Sequence, residues 1–401
     1  MAQPSAIRVP RALLRAVAVV ALSMAMSGVA ASVGVSNAAP RHPAKGNTTS
    51  SVTKGDGQLH VFSFNGRRFG ITTAIHVLTF RGSRYKLQIG LARHGVDSGL
   101  QTTSSMCRRI VRCVAAVNGD FFDTTGRGES VPGDEVGAIV KNCVLIHSPE
   151  IAQQQVNLDG HSVAKSLTWA TSIYVGGSGV AIAAINQDRP IAYAKVQLPL
   201  TGTLLYTAPY GPLTPTSPSR VTYEFTQIDR SISPTAINST AELRFAGRTV
   251  RAIKVGTHEV DVSAPRGSRL GTLRVGDTVI MTTVSSSGCD SIGGHPVLLD
   301  HGIVTPLDGA DTYLTRPFAR SVVGWTSSGT TVIMVVDGQD GVTGATANQL
   351  VRLLEAVHVV TALDLDGGNS ASLYARGRIL NHPSQSSERP VSTALLVVRV
   401  R

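Results

Sequence analysis

The chain has 401 residues, 42% of them hydrophobic and 16% charged, with a formal net charge of +11 at pH 7 and four cysteines. That apolar share supports a packed core and excludes a disordered polyelectrolyte, while 40 glycines and 19 prolines point to many turns and short elements. The basic residues are scattered rather than interleaved with aromatics, which favours attraction of anions at a basic surface and gives no support for a nucleic-acid partner.

Residues 1–38 read as an export signal. Arg8, Arg11 and Arg15 precede an Ala, Val, Leu and Met stretch, and small residues around Ser36-Asn37-Ala38 suit a signal peptidase. An uncleaved membrane anchor is the competing reading, but the apolar stretch is short for a span. Cleavage would remove three arginines and leave +8, giving a secreted protein, or one associated with the cell envelope, that has no stable membrane span. Residues 39–57, rich in Pro, Gly, Ser, Thr and Lys, predict a disordered lead-in to a domain over 58–401. Four cysteines in an exported chain suggest disulfides. Three pairings exist; one closes the small loop Cys107–Cys113 and leaves Cys143 and Cys289 for a long bridge. The C-x₅-C spacing lacks a matching His pair, so metal binding there is set aside.

Leu59 to Phe64 and Ile75 to Phe80 alternate like antiparallel strands, with His60 and His76 placed on their polar faces. Met106 to Val114 has a short helical pattern that feeds the strand Ala115-Ala116-Val117, which ends at Asn118-Gly119-Asp120-Phe121-Phe122. A polar amide at the end of an apolar strand needs hydrogen-bond partners, and a sugar hydroxyl or phosphate oxygen can supply them to Asn118; Phe121 and Phe122 read as core. From Ser172 to Val284 short strands follow one another with Pro and Gly punctuation, so a β-rich subdomain over about 200–285 is predicted. Ser291 to Leu299 puts His295 after two glycines and before a proline, on a loop free to meet a ligand.

The C-terminal third carries the densest pattern. Thr331 to Val336 is an apolar strand stopped by Asp337-Gly338. A helix follows, capped by Thr346 and Gln349 with Leu350, Leu353, Leu354 and Val357 on one face, and a second strand ends at Leu365-Asp366-Gly367-Gly368-Asn369-Ser370. A right-handed crossover makes the two strands parallel and brings Asp337 and Asp366 to the same sheet edge. The glycines would leave the amides of Gly368, Asn369 and Ser370 open to an anion; the plainer reading is an acidic hairpin turn. Leu373-Tyr374-Ala375 and Arg378-Ile379-Leu380 flank Gly377 as a hairpin, and Glu388-Arg389-Pro390 opens a last strand. The fold class predicted is α+β: a β-rich mixed-sheet domain with few helices and a strand-helix-strand unit near the C-terminus.

Gly293-Gly294-His295-Pro296, Arg320-Ser321, Asp337-Gly338, Leu365 to Ser370 and Glu388-Arg389-Pro390, in this order and preceded by Asn118 to Phe122 and by Leu205-Tyr206-Thr207 with Tyr210-Gly211, resemble the phosphodiester glycosidase family. That family includes the enzyme that uncovers mannose 6-phosphate on lysosomal proteins, and many secreted bacterial relatives. The chain departs from the pattern at Asn142-Cys143, where a turn glycine is usual, at Ser321, where threonine is usual, and at Gln339, where arginine is common; Arg316 can replace that lost cation.

The resemblance implies hydrolysis of a sugar 1-phosphodiester at the anomeric C–O bond, on a phosphodiester-linked glycan or glycoconjugate. Asp366 is then the first candidate for the catalytic carboxylate and Asp337 the second. Arg320 with Gly367, Gly368, Asn369 and Ser370 would hold the phosphate, and Asn118, Asp120, His295, Glu388 and Arg389 would orient sugar hydroxyls or support the pocket. Glu388 and Arg389 also read as an ordinary loop pair. No cofactor is required by these motifs, although the acidic turns leave room for a structural divalent cation. Rival readings are a phosphodiesterase that breaks P–O, a non-catalytic glycan-binding protein, and an envelope protein held by its export segment. Neither the sugar nor the oligomeric state is written in the motifs.

Overall fold

The computed structural model describes residues 59–96, 98–124, 133–149, 154–187, 192–193, 196–197 and 202–400. The export signal and lead-in predicted over 1–57 lie outside the described residues. Within them the protein is a β-rich α+β fold, and none of the helices is long and apolar enough to cross a membrane.

The central seven-stranded sheet runs in the order Leu59–Asn65, Ala74–Arg81, Thr330–Val336, Arg320–Thr326, Val359–Asp364, Val297–Asp300, Ile303–Val304. Thr330–Val336 is apolar throughout because both of its faces are covered. Val332, Met334 and Val336 pack with Leu350, Leu353 and Leu354 of the helix Ala347–Ala356, while Ile333 and Val335 join the core on the other side. The helix forms where the sequence places it: the Thr346 and Gln349 capping box is made, and burying its leucines contributes about 1.5–3 kcal/mol each. The other core is closed by a five-stranded sheet containing Leu373–Ala375, Cys113–Asn118, Thr393–Arg399 and Tyr85–Leu91. Beyond it, Met106 and Cys107 of the short helix Thr103–Arg108 pack on Ala116 and Leu396. The layers are therefore helix, sheet, sheet, helix.

The predicted crossover is present with a strand inserted. Thr330–Val336 and Val359–Asp364 both pair antiparallel to Arg320–Thr326, which lies between them, so the two run parallel and end at one edge. Arg320 starts its strand at that same edge, opposite Val336.

The β-rich segment is a closed seven-stranded barrel. It begins at Trp169–Val175 and Ser178–Ile185, so it recruits strands ahead of the predicted start near residue 200. A further five-stranded sheet joins barrel and layers. Val140 and Leu145 enter the barrel core, while Ile139, Val156 and Ile292 enter the sheet core. Cys107 is bonded to Cys113, and Cys143 to Cys289.

Candidate active site at the acidic sheet edge

Asp366 sits one turn beyond the strand Val359–Asp364, partly exposed, with its backbone fixed on both sides: its N–H donates to Gly119 O at 3.1 Å and its carbonyl accepts from Asn118 Nδ2 at 2.6 Å. Burial of the carboxyl, with repulsion from Asp340, pushes its pKa up to about 7, against hydrogen bonds from Ser370 and the Gly367 N–H and the attraction of Arg389. Arg389 Nη1 donates to Ser370 Oγ at 3.3 Å, and its guanidinium lies over Phe122, 5.5 Å from the ring centroid. A carboxyl shifted in this way can exchange a proton near neutrality, and one partly exposed cation stands beside it.

A second acidic layer lies beneath. Asp120 and Glu135 are buried, and Glu135 is held well above the usual carboxylate range, first by burial and then by the charges of Asp120 and Asp366. The Ser392 hydroxyl donates to Glu135 Oε1. Close by, Asp134 Oδ1 is 3.0 Å from His147 Nε2 in a buried pair, and His147 Nδ1 meets Gly137 O at 3.0 Å. Gly293 and Gly294 let this layer close: a Cβ on Gly293 would lie 2.1 Å from Asp120 Oδ2, and one on Gly294 would lie 2.5 Å from Asp364 O.

Several predicted roles change. Arg320 is fully buried and its guanidinium is committed internally, to Asp364 Oδ2 at 2.9 Å, to Ala345 O at 3.0 Å, to Tyr313 O, and face-on to the Tyr313 ring. It anchors the strand ends and is not placed as a phosphate fork; Arg389 is the guanidinium beside the carboxylate. Asn118 is also fully buried, and its Oδ1 accepts from Ser321 Oγ at 2.7 Å and Ser372 N at 3.1 Å, so the partners it needs are supplied by the chain itself. Asp120 lies inside the acidic layer, where its Oδ1 accepts from the Phe121 N–H at 2.7 Å.

The expected cradle of bare amides is folded onto itself. With Gly368 at φ +54°, residues Gly368–Ser370 make a 3₁₀ turn in which the Gly368 N–H donates to Ala319 O and the Ser370 N–H to Gly367 O. Asn369 is partly exposed on this turn. Glu388 clamps the wall, accepting from Ser104 N at 2.7 Å, Ser104 Oγ at 2.5 Å and Ser372 Oγ at 3.3 Å.

Asp337 and His295 flank this centre. Asp337 accepts from the His382 N–H at 2.8 Å and lies 3.2 Å from His76 Nε2, whose Nδ1 is 2.8 Å from Ser63 Oγ. It lines a polar cleft of about 760 Å³ with Thr73, Gln339, Thr343, His382 and Ser384. Ser384 Oγ bonds Gly338 O at 2.8 Å and Gly368 O at 3.2 Å, joining this cleft to the Asp366 turn. His295 lies on the opposite side: its N–H donates to Asp364 O at 2.9 Å, and its Nε2 is 3.2 Å from Asp311 Oδ2.

The residues missed in sequence are Glu135, Asp340 and His76, the last assigned only to a polar strand face. His76 faces Ser63 across its hairpin, and that cross-strand pair was the available signal. Among the described residues no group of three or more His, Cys, Asp or Glu is arranged to hold a metal ion.

Residues 238–398 match the family model for phosphodiester glycosidase. That stretch holds His295, Arg320, Asp337, Asp366, Glu388 and Arg389; Asn118 and Asp120 precede it. A hypothetical protein from Synechocystis is similar in fold, with a TM-score of 0.66 and 20% identity over 86% of this chain. This chain spans 62% of that protein. A Burkholderia pseudomallei K96243 protein whose name describes it as exported follows, with a TM-score of 0.62 and 16% identity over 82% of this chain and 74% of that one. The zebrafish N-acetylglucosamine-1-phosphodiester alpha-N-acetylglucosaminidase catalytic domain, auto-inhibited by its pro-peptide, aligns at a TM-score of 0.41 and 14% identity over 88% of both chains. No curated protein sequence is significantly similar.

Proposed function

We propose, from the premise that residues 238–398 carry the phosphodiester glycosidase pattern, that this chain is an exported hydrolase of sugar 1-phosphodiesters in glycans or glycoconjugates. One observation carries the reading: Asp366, with a pKa of about 7, stands beside Arg389 at the end of the family's acidic strand. Such a carboxylate takes a proton from water as the water oxygen bonds to the anomeric carbon. The C–O bond breaks with its electron pair on the phosphate oxygen, and the phosphate monoester leaves with little need for protonation.

Arg389 is the group suited to the leaving phosphate, in the place first given to Arg320. Asp337 has both oxygens engaged, by the His382 N–H and by His76, so orienting a hydroxyl in the polar cleft suits it better than direct attack. Burial of the carboxyl and the nearby charge of Asp340 hold the Asp366 pKa up. The disulfides agree with an exported protein.

The test is a panel of sugar 1-phosphodiesters assayed for free reducing sugar with the wild-type chain and with Asp366→Asn. Turnover by the wild type alone supports the reading. Sugar affinity without turnover in either form would leave a glycan-binding protein.

A further inference from the structure

We infer that one mouth of the barrel is a separate anion-binding site, built to hold the phosphates of a polymeric phosphate-bridged glycan. The site follows from strand alternation. Tyr223 and Phe225 of the strand Arg220–Gln227 point into the lumen, with Val221 packed against the same core, as do Val260, Val262 and Ala264 of Glu259–Pro265. Continuing that alternation one step past the strand brings Arg266 to the rim. On the other side Arg248 pairs directly with Tyr223 and shares its inward face. Arg251 follows the end of Ser239–Thr249.

These three arginines line a depression of about 400 Å³ together with Val221, Tyr223 and Val250, and no carboxylate lines it. Arg266 Nε donates to Pro218 O at 2.7 Å, which orients the fork and leaves its terminal nitrogens for a ligand. Among the described residues none of the three makes an ion pair. Three exposed guanidinium groups around one hollow repel one another, and a bound phosphate relieves that repulsion with paired N–H donors.

Two features choose the occupant. Tyr223 is only 3% exposed, so the hollow offers no ring face on which a nucleobase can stack. The bridging sheet meets the barrel just ahead of Ser239–Thr249, where the Leu145 N–H donates to Thr235 O and Val144 bridges Ala236, whereas Arg248 lies near the far end of that strand, so the arginine mouth stands roughly one strand length, about 25 Å, from that sheet. A small diester does not reach both regions; an extended polymer does. The choice of a glycan rests on the hydrolase reading above, whereas the anion site does not.

The test uses the full chain with Arg248, Arg251 and Arg266 all changed to alanine, and a second variant carrying lysine at all three positions. Binding of a fluorescent poly(hexosyl phosphate) oligomer, a chain of sugars bridged by 1-phosphodiesters, is followed by anisotropy across a salt series, with oligothymidylate as the nucleic-acid probe and inorganic phosphate as competitor. The alanine variant should lose about tenfold or more in polymer affinity and about two units of the log Kd against log salt slope, with the lysine variant keeping most of that slope. Turnover of a small sugar 1-phosphodiester should be unchanged. Equal polymer affinity in wild type and alanine variant overturns the site, and tighter arginine-dependent binding of oligothymidylate overturns its assignment to a glycan. Loss of polymer binding in a protein that never turns over a small diester sinks the hydrolase reading and leaves the barrel site standing.

Discussion

Replacing Asp366 by asparagine should stabilise the protein above neutral pH while abolishing turnover. In the folded chain burial lifts this carboxyl to about 7, whereas an aspartate in the unfolded chain titrates near ~3.9. Between those values the folded state keeps a proton that the unfolded state has released. Stability therefore falls as pH rises from about 4 to about 7, and this group adds no further slope above or below that window. A gap of about three pH units corresponds to about 4 kcal/mol, and partial exposure together with the hydrogen bonds an amide makes less well brings the net gain to about 2 kcal/mol. Urea unfolding of wild type and Asp366→Asn from about pH 4 to about pH 9 measures it. The two stabilities should converge near pH 4 and separate to about 2 kcal/mol by pH 8. A difference that stays constant with pH, or a variant less stable at pH 8, would refute the burial-driven shift.

Arg320→Met leaves Asp364 buried without its cation and should cost about 3–5 kcal/mol in urea unfolding; a stable variant whose only defect is a raised KM would return Arg320 to the phosphate-binding role. Burial and the charges of Asp120 and Asp366 hold the Glu135 carboxyl well above the usual carboxylate range, which favours its protonated form, so Glu135→Gln should change stability by less than about 1 kcal/mol near pH 7, and a loss of several kcal/mol would contradict the upward shift. The Cys143–Cys289 bridge spans a sequence separation of 146, for which loop entropy gives about 5 kcal/mol, against about 2 kcal/mol for Cys107–Cys113 with its separation of 6. Paired Cys→Ser variants compared by urea unfolding should keep that order, and an equal loss from both would reject the chain-entropy account.

Local patterns in the sequence carried much of the fold. The apolar run at Thr331 to Val336 is fixed by burial on both faces, the Thr346 and Gln349 cap is satisfied within one helical turn, and Gly377 needs only its own positive φ of +82° to turn the hairpin. The acidic edge was legible too, because parallel strands separated by one helix end on the same side. What sequence did not carry was which polar groups face solvent. Arg320 and Arg389 are both arginines beside acidic turns, and only the packing of Tyr313, Ala345 and Asp364 around one of them decides that it is structural. Asn118 needed partners, and whether Ser321, Ser372 or a substrate supplies them depends on contacts distant in sequence. Glu135 escaped notice because its shifted pKa comes from being buried near Asp120 and Asp366, and Asp366 lies far along the chain. The 3₁₀ closure at Gly368 shows the same limit: two glycines permit open amides and a closed turn alike, and Ala319 O selects the closed form.

Hydrolysis of a sugar 1-phosphodiester in ¹⁸O-labelled water, with both products analysed by mass, tests the central claim most directly. Attack at the anomeric carbon places the label in the released sugar and none in the phosphate monoester. Label in the phosphate would contradict it, since water would then have attacked phosphorus and the acidic edge would belong to a phosphodiesterase.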